Sequence, residues 1–211
     1  DLDKFIGMYS FAIWDRKRKK LFAARDRFGI KPFFFCLDKS TFYFASEIKA
    51  LFRAKIKKEC NYKVVFQYLA QGLYDHSDET FYLNIKNLQP GHYLEYEKNT
   101  LTINSYWDLS SFEGNDEPDE SKVLNRIEEL LNESVGLSLR SDVPVGLNLS
   151  GGLDSSCLLS LVEDNWVNEY QLEGFTQDYE ETEFSEKKWV ESMGERTGRR
   201  MNYSIMGAEA F

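Results

Sequence analysis

The chain contains 211 residues, 42% of them hydrophobic, with a formal net charge of −9, so disorder throughout is excluded and one large core or two modest ones are expected. No apolar run approaches the roughly 18 residues of a membrane-spanning helix, and residues 1–20 lack a signal peptide's apolar stretch, so we expect a cytoplasmic protein without membrane partners. Cys36, Cys60 and Cys157 are too few and too widely spaced for a disulfide framework or a zinc site.

Charge is unevenly distributed along the chain. Residues 1–60 carry 15 Lys or Arg against 7 Asp or Glu, and the remaining residues carry 11 against 28. A basic segment can indicate nucleic-acid binding, but the basic run at residues 16–20 fits a solvated hairpin turn before a strand. We therefore predict no nucleic-acid partner. Because no turn or cap precedes the first strand-like run, we expect the chain to begin inside a domain and to be a fragment.

The first predicted portion covers residues 1–109. Short aromatic and aliphatic runs alternate with turn residues through positions 7–46 and predict an antiparallel meander. Ser46 is predicted to cap a short helix, and Asn61 a second helix that ends at Gly72. A hairpin follows residue 90, so this portion is predicted to be α+β with antiparallel sheets.

An acidic linker is predicted at residues 110–121, because five acids with one Gly, one Pro and one aromatic cannot build a core. Ser121 is predicted to cap an amphipathic helix, and residues 143–149 read as a buried strand. A glycine loop, a helix from Ser155, a second strand and a helix from Ser185 follow. This alternation predicts that residues 122–211 form an α/β portion with a parallel sheet.

The hexapeptide SGGLDS, which begins at Ser150, stands between the predicted strand and helix. Backbone N–H groups and the positive end of the helix converge there, an arrangement that favours an anion. Gly151 and Gly152 let the backbone approach a phosphate closely, and Ser155 adds a hydroxyl donor. Asp154 would repel a bare phosphate, so we predict that it binds a Mg²⁺ ion that bridges to phosphate oxygens.

A glycine loop after a strand can also have other functions. Two glycines in a strand–helix turn occur in many α/β proteins for packing alone. Neither the Walker loop nor the dinucleotide pattern GxGxxG is present, which argues against γ-phosphate transfer and against NAD.

The hexapeptide resembles the pyrophosphate loop of N-type ATP pyrophosphatases, and the run SDVPVG beginning at Ser141 is typical of glutamine-hydrolysing asparagine synthetases. Upstream, several runs resemble the class II glutaminase domain of that family, in its order and spacing: residues 7–15, 24–32, 45–51, 88–92 and 106–109. The resemblance covers nearly the whole chain. It implies the later part of a glutaminase domain of the N-terminal-nucleophile type, joined to the first part of an ATP-pyrophosphatase domain.

The resemblance also implies a set of ATP-binding residues: Leu149, Ser150, Gly151, Gly152, Asp154, Ser155 and Gln177. Leu149 would lie near the nucleotide, and Gln177 would lie where the second strand of the family passes the adenine. The family usually has glycine at the next position, whereas this chain has Asp178. Either the turn or the nucleotide pocket is therefore expected to differ.

No catalytic residue is assigned within the chain. Family glutaminases use an N-terminal cysteine and an oxyanion hole that lie upstream of the matched segment. Asp1 cannot serve as that nucleophile, and Cys36 and Cys60 lack a Cys/His arrangement, so both are predicted to be structural. Arg25 and Asp26 are predicted to form an ion pair that braces the glutaminase portion.

The implied reaction converts aspartate, glutamine and ATP into asparagine, glutamate, AMP and pyrophosphate through an aspartyl-adenylate, with ATP and Mg²⁺ as cofactors. Two alternatives stay open. β-Lactam-forming and peptide-cyclising synthetases share the loop but use other acceptors. A non-catalytic scaffold would use neither the glutaminase site nor the ATP site. The oligomeric state is not fixed by the sequence, and a homodimer is one option.

Overall fold

The computed structural model describes residues 1–112, 114, 119–166, 172–179 and 185–205. The chain forms two compact units, Asp1–Gly114 and Asn115–Phe211. The predicted acidic linker lies partly outside the described residues, and its last two positions, Glu120 and Ser121, already belong to a helix. Of the helices described, none has the length and apolar character needed to cross a membrane.

The first unit is built from antiparallel strands. They are β1 (Ser10–Asp15), β2 (Lys20–Arg25), β3 (Phe34–Asp38), β4 (Thr41–Ala45), β5 (Lys86–Asn87), β6 (His92–Glu97) and β7 (Thr100–Ser105). They form two sheets, with strand orders β1-β2-β6-β7 and β4-β3-β5. Two α-helices, α1 (Ile48–Arg53) and α2 (Tyr62–Gln71), separate β4 from β5 along the chain. The α+β organisation with antiparallel sheets is confirmed for the described part of this unit.

The prediction of one continuous meander is wrong, because β2 pairs with β6 and not with β3. Between β2 and β3 the chain turns around the buried carboxylate of Asp26, which accepts hydrogen bonds from the backbone N–H groups of Phe28, Ile30 and Lys31 at 2.9–3.2 Å. This turn carries the chain from the first sheet to the second.

Arg25 and Asp26 do not form the predicted ion pair within the described part of the chain. Arg25 instead donates to the carbonyl oxygens of Lys31, Leu88 and Gly29, and to the Asn87 side chain, at 2.6–2.9 Å. The two side chains therefore brace the unit separately, each through hydrogen bonds to backbone groups of the turn that follows them.

Helix ends in the first unit follow the predictions only in part. α2 has Asn61 at its N-cap position and ends at Gly72, whose φ of 69° suits glycine, as predicted. The N-cap of α1 is Glu47 and not Ser46, because the chain is still extended at Glu47, with φ −134°. The buried side chains of this unit form two clusters: Ala23, Phe33, Phe35, Leu88 and Leu94, and Cys36, Leu51, Ile56 and Ile85.

The second unit alternates helices with parallel strands. Its elements are α3 (Glu120–Ser138), β8 (Val145–Asn148), α4 (Leu153–Trp166), β9 (Leu172–Asp178), α5 (Lys187–Thr197) and β10 (Met201–Ile205). The sheet has the order β10-β9-β8, and both strand pairs are parallel. The predicted parallel sheet is thus confirmed for the described residues.

Local chemistry explains the element ends in this unit. Asp119, and not Ser121, caps α3, because its carboxylate accepts a hydrogen bond from the Ser121 backbone N–H at 3.1 Å. α5 begins two residues after the predicted Ser185 and ends at Gly198, whose φ is 67°. One apolar cluster joins the helices to the sheet: Val135, Leu139, Leu149, Leu159, Val162, Leu172 and Val190.

Candidate functional site

The glycine loop lies at the carboxyl edge of the parallel sheet. β8 ends at Asn148 and α4 begins at Leu153, so residues 149–152 cross from strand to helix. A cavity of about 700 Å³ opens beside them and is lined by the ends of all three parallel strands. Crevices at this edge of open α/β sheets are where such folds bind ligands.

The hydroxyl groups of the loop are held by long hydrogen bonds. The Ser150 backbone N–H donates to Ser155 Oγ at 3.3 Å, and the Gly152 N–H donates to Ser150 Oγ at 3.4 Å. Ser155 Oγ in turn donates to the Gly152 carbonyl at 3.3 Å. Because these distances lie beyond the usual range for N–H···O and O–H···O bonds, a phosphate oxygen can replace them at little cost.

Gly151 is required by both its backbone and its surroundings. Its φ of 70° lies in the left-handed region, and a Cβ placed on it would lie 2.7 Å from the Trp189 Cβ and 3.3 Å from the Glu186 carbonyl oxygen. The loop therefore packs against the start of α5 without room for a side chain.

Asp154 is the second residue of α4 and is exposed beside the loop. The described residues contain no group of three or more His, Cys, Asp or Glu that could hold a metal ion by themselves. A single carboxylate does fit Mg²⁺, which in nucleotide sites is held by one or two carboxylates, by phosphate oxygens and by water. Asp154 therefore suits a metal that arrives with a phosphate ligand.

The structure brings three of the predicted residues to one cavity: Leu149, Ser150 and Gln177 all line it. Leu149 is 3% exposed and its backbone N–H donates to the Phe175 carbonyl at 2.8 Å, which joins the loop to β9. Gln177 lies near the end of β9, on the opposite face of the strand from buried Thr176. Gly151, Gly152, Asp154 and Ser155 belong to the adjoining loop and first turn of α4.

Sequence reasoning missed the part of the wall formed by Glu186, Asn202, Tyr203 and Ser204. Ser204 pairs with Gln177 across the β9–β10 register, so the two positions reach the same sheet edge. Burial, with nearby Glu191 and Asp178 as smaller causes, raises the pKa of Tyr203. These wall residues could have been predicted from the rule that the carboxyl ends of parallel strands lie at one edge of the sheet.

The cysteines differ in accessibility. Cys36 is 3% exposed, and burial together with the Asp38 charge raises the pKa of its thiol, whereas Cys60 and Cys157 are exposed. Since the thiolate is the nucleophile, Cys36 is a poor one, in keeping with the predicted structural role. We expect iodoacetamide to alkylate Cys60 and Cys157 in the folded chain at least about 10-fold faster than Cys36. Peptide mass spectrometry over time measures this, and equal rates would contradict the burial.

Family models match both units. A glutamine amidotransferase domain model matches residues 1–107, and an asparagine synthase model matches residues 126–211. "Asparagine synthetase [glutamine-hydrolyzing] 3" of Bacillus subtilis is 35% identical over 210 residues, which cover 93% of this chain and 34% of the relative. "Asparagine synthetase [glutamine-hydrolyzing] 2" of the same organism is 41% identical over 173 residues, which cover 74% of this chain and 22% of the relative.

The chain is also similar to proteins that are named amidases. "Amidase chry2" of Gibberella zeae is 32% identical over 163 residues, which cover 74% of this chain and 23% of the relative. The chain spans about a third or less of the length of these curated relatives. With one family model on each unit and relatives at 35–41% identity, the chain belongs to the glutamine-hydrolysing asparagine synthetase family.

Proposed function

We propose that the protein containing this chain forms an amide bond at the expense of ATP, with nitrogen taken from glutamine. The substrates are aspartate, glutamine, ATP and the water that hydrolyses glutamine, and the products are asparagine, glutamate, AMP and pyrophosphate. The observation that carries this proposal is the loop from Ser150 to Ser155, placed at the carboxyl edge of the parallel sheet beside a cavity lined by Leu149 and Gln177.

The loop would hold the pyrophosphate end of ATP. Backbone N–H groups at the start of α4 point at the developing negative charge, and the hydroxyls of Ser150 and Ser155 exchange their long internal bonds for phosphate oxygens. Mg²⁺ held by Asp154 and phosphate oxygens would supply charge neutralisation for the departing pyrophosphate. The edge of the sheet at Leu149 and Gln177 would hold the nucleoside.

We assign the two halves of the reaction to the two portions of the chain. Residues 1–109 belong to a glutaminase domain of the N-terminal-nucleophile type that releases ammonia from glutamine, residues 110–119 to a linker, and residues 120–211 to an ATP-pyrophosphatase domain. In the second domain aspartate attacks ATP to give an aspartyl-adenylate, and ammonia then displaces AMP. The matches of the two family models to the two units support this division.

A second candidate keeps the adenylation and changes the acceptor. It is favoured by the similarity to relatives named amidases, at 32% identity, and by Asp178 at the cavity edge. Exchange of labelled pyrophosphate into ATP separates the candidates, because an adenylate forms reversibly only when the true acceptor acid is present. Exchange that depends on aspartate supports the first candidate, and exchange only with other acids supports the second.

Binding tests the loop itself. We expect MgATP to bind the 211-residue chain with a dissociation constant above about 1 μM, and inorganic pyrophosphate to compete for the site. Titration calorimetry at fixed Mg²⁺ measures both ligands, with NAD as the control that should not bind. Absence of binding by both MgATP and pyrophosphate would contradict the proposed role of the loop. Binding tighter than about 1 μM would show that the described residues hold more of the site than we assign.

A further inference from the structure

Asp178 ends β9 with a buried carboxylate that accepts a hydrogen bond from the start of the next helix. The residue is 5% exposed, and the Ser185 hydroxyl donates a hydrogen bond to its Oδ1 at 2.7 Å. A buried carboxylate is costly unless it is hydrogen-bonded, so this contact is held strongly in the folded chain. The residues on either side of it, Gln177 and Tyr179, both line the cavity.

Ser185 connects this carboxylate to the start of α5. The next residue, Glu186, lines the cavity, and its carbonyl oxygen accepts the N–H groups of Trp189 at 3.0 Å and Val190 at 3.3 Å. The same carbonyl oxygen of Glu186, together with the Trp189 Cβ, leaves no space for a side chain at Gly151. A continuous series of contacts therefore runs from the end of β9, through Ser185 and the first turn of α5, to the glycine loop.

We propose that Asp178 is a positioning residue for this site: by holding Ser185, it fixes the first turn of α5 against Gly151 and so sets the shape of the anion-binding loop. It acts from a buried position and does not touch the ligand. A glycine at position 178 has no side chain with which to make this contact. The ligand part of this inference, a pyrophosphate-bearing molecule, rests on the proposed function.

The test uses three variants of the 211-residue chain: Asp178→Ala, Ser185→Ala and the double variant. We expect hydrogen exchange at the Trp189 and Val190 amides to become about 10-fold faster in each single variant, and the affinity for inorganic pyrophosphate with Mg²⁺ to fall about 10-fold. The double variant should differ little from either single one, because all three remove the same contact. Asp178→Asn keeps an acceptor and should restore most of both properties.

Glu163→Gln is the matched control. It weakens the ion pair between Glu163 on α4 and Arg199, whose atoms are 2.7 Å apart and whose side chains are both 15% exposed, within the same unit. We expect it to lower the melting temperature and to leave pyrophosphate affinity and the relative protection of the two α5 amides unchanged.

The outcomes separate this inference from the proposed function. Unchanged exchange at Trp189 and Val190 in Asp178→Ala would overturn the positioning role, and so would faster exchange with unchanged pyrophosphate affinity. If the unsubstituted chain binds neither pyrophosphate nor MgATP, the proposed role of the loop is wrong. The exchange measurements then decide by themselves whether Asp178 holds the first turn of α5.

Discussion

Replacing Asp154 with asparagine is expected to lower pyrophosphate release about 100-fold or more in the protein that contains this chain, while glutamine hydrolysis stays measurable. Asparagine keeps the size of the side chain and most of its hydrogen bonding but removes the charge. If Asp154 binds the Mg²⁺ that neutralises the departing pyrophosphate, adenylation loses several kcal/mol of stabilisation. The other reaction does not use that ion, so the two activities should separate.

Pyrophosphate and glutamate release are to be measured on one preparation, with ammonia supplied directly in a parallel assay. Asp164→Asn is the matched control, since Asp164 is an exposed carboxylate on the same helix, α4, ten positions further along. It should leave both activities unchanged. Near-normal pyrophosphate release by Asp154→Asn from ammonia, aspartate and ATP would contradict the proposed binding of Mg²⁺ by Asp154. Parallel loss of both activities and of thermal stability would instead indicate that Asp154 only packs the turn.

The second large effect is expected for Gly151→Ala, which should weaken MgATP binding by about 100-fold or abolish it. Alanine at a φ of 70° costs about 1–2 kcal/mol in backbone strain. Its Cβ would lie 2.7 Å from the Trp189 Cβ, an atom fixed to the backbone of α5 that cannot rotate away. The loop must therefore shift, and each charge-assisted hydrogen bond to phosphate that it loses costs about 1.5–3 kcal/mol.

Gly198→Ala separates the clash from the strain. Gly198 has a φ of 67°, and a Cβ placed there meets nothing within 4 Å. The control should lose about 1–2 kcal/mol of unfolding free energy and bind MgATP as the unsubstituted chain does. Calorimetric titration and urea unfolding of both variants measure the two effects. Equal affinity of the two variants for MgATP would show that the close packing of Gly151 does not shape the loop.

Several features of the fold follow from short-range chemistry, and the sequence predicts them. α2 ends at Gly72 and α5 at Gly198, because both positions have a left-handed φ that glycine adopts without strain. The hexapeptide at residues 150–155 follows β8 as predicted, but α4 already begins at Leu153, two residues before the predicted Ser155. The chemistry proposed for it depends on residue types and backbone geometry within six positions.

Strand pairing and the roles of buried polar groups were decided by the tertiary structure. The pairing of β2 with β6 joins segments about 70 residues apart and depends on a shared apolar cluster that includes Ala23 and Leu94. Asp26 turns inward to satisfy backbone N–H groups of the turn that follows it. No local pattern specifies such partners, because burial and hydrogen bonding are satisfied by whatever the complete fold brings near.

The candidate site divides in the same way. Its loop, with Ser150, Gly151 and Asp154, was determined by the sequence alone, since an anion-binding turn needs only glycines, hydroxyls and a helix start. The wall formed by Glu186 and β10, and the bond between Asp178 and Ser185, were decided only when the parallel sheet placed distant segments at one edge. Contacts of that kind arise from packing between elements, which residue type and spacing along the chain do not specify.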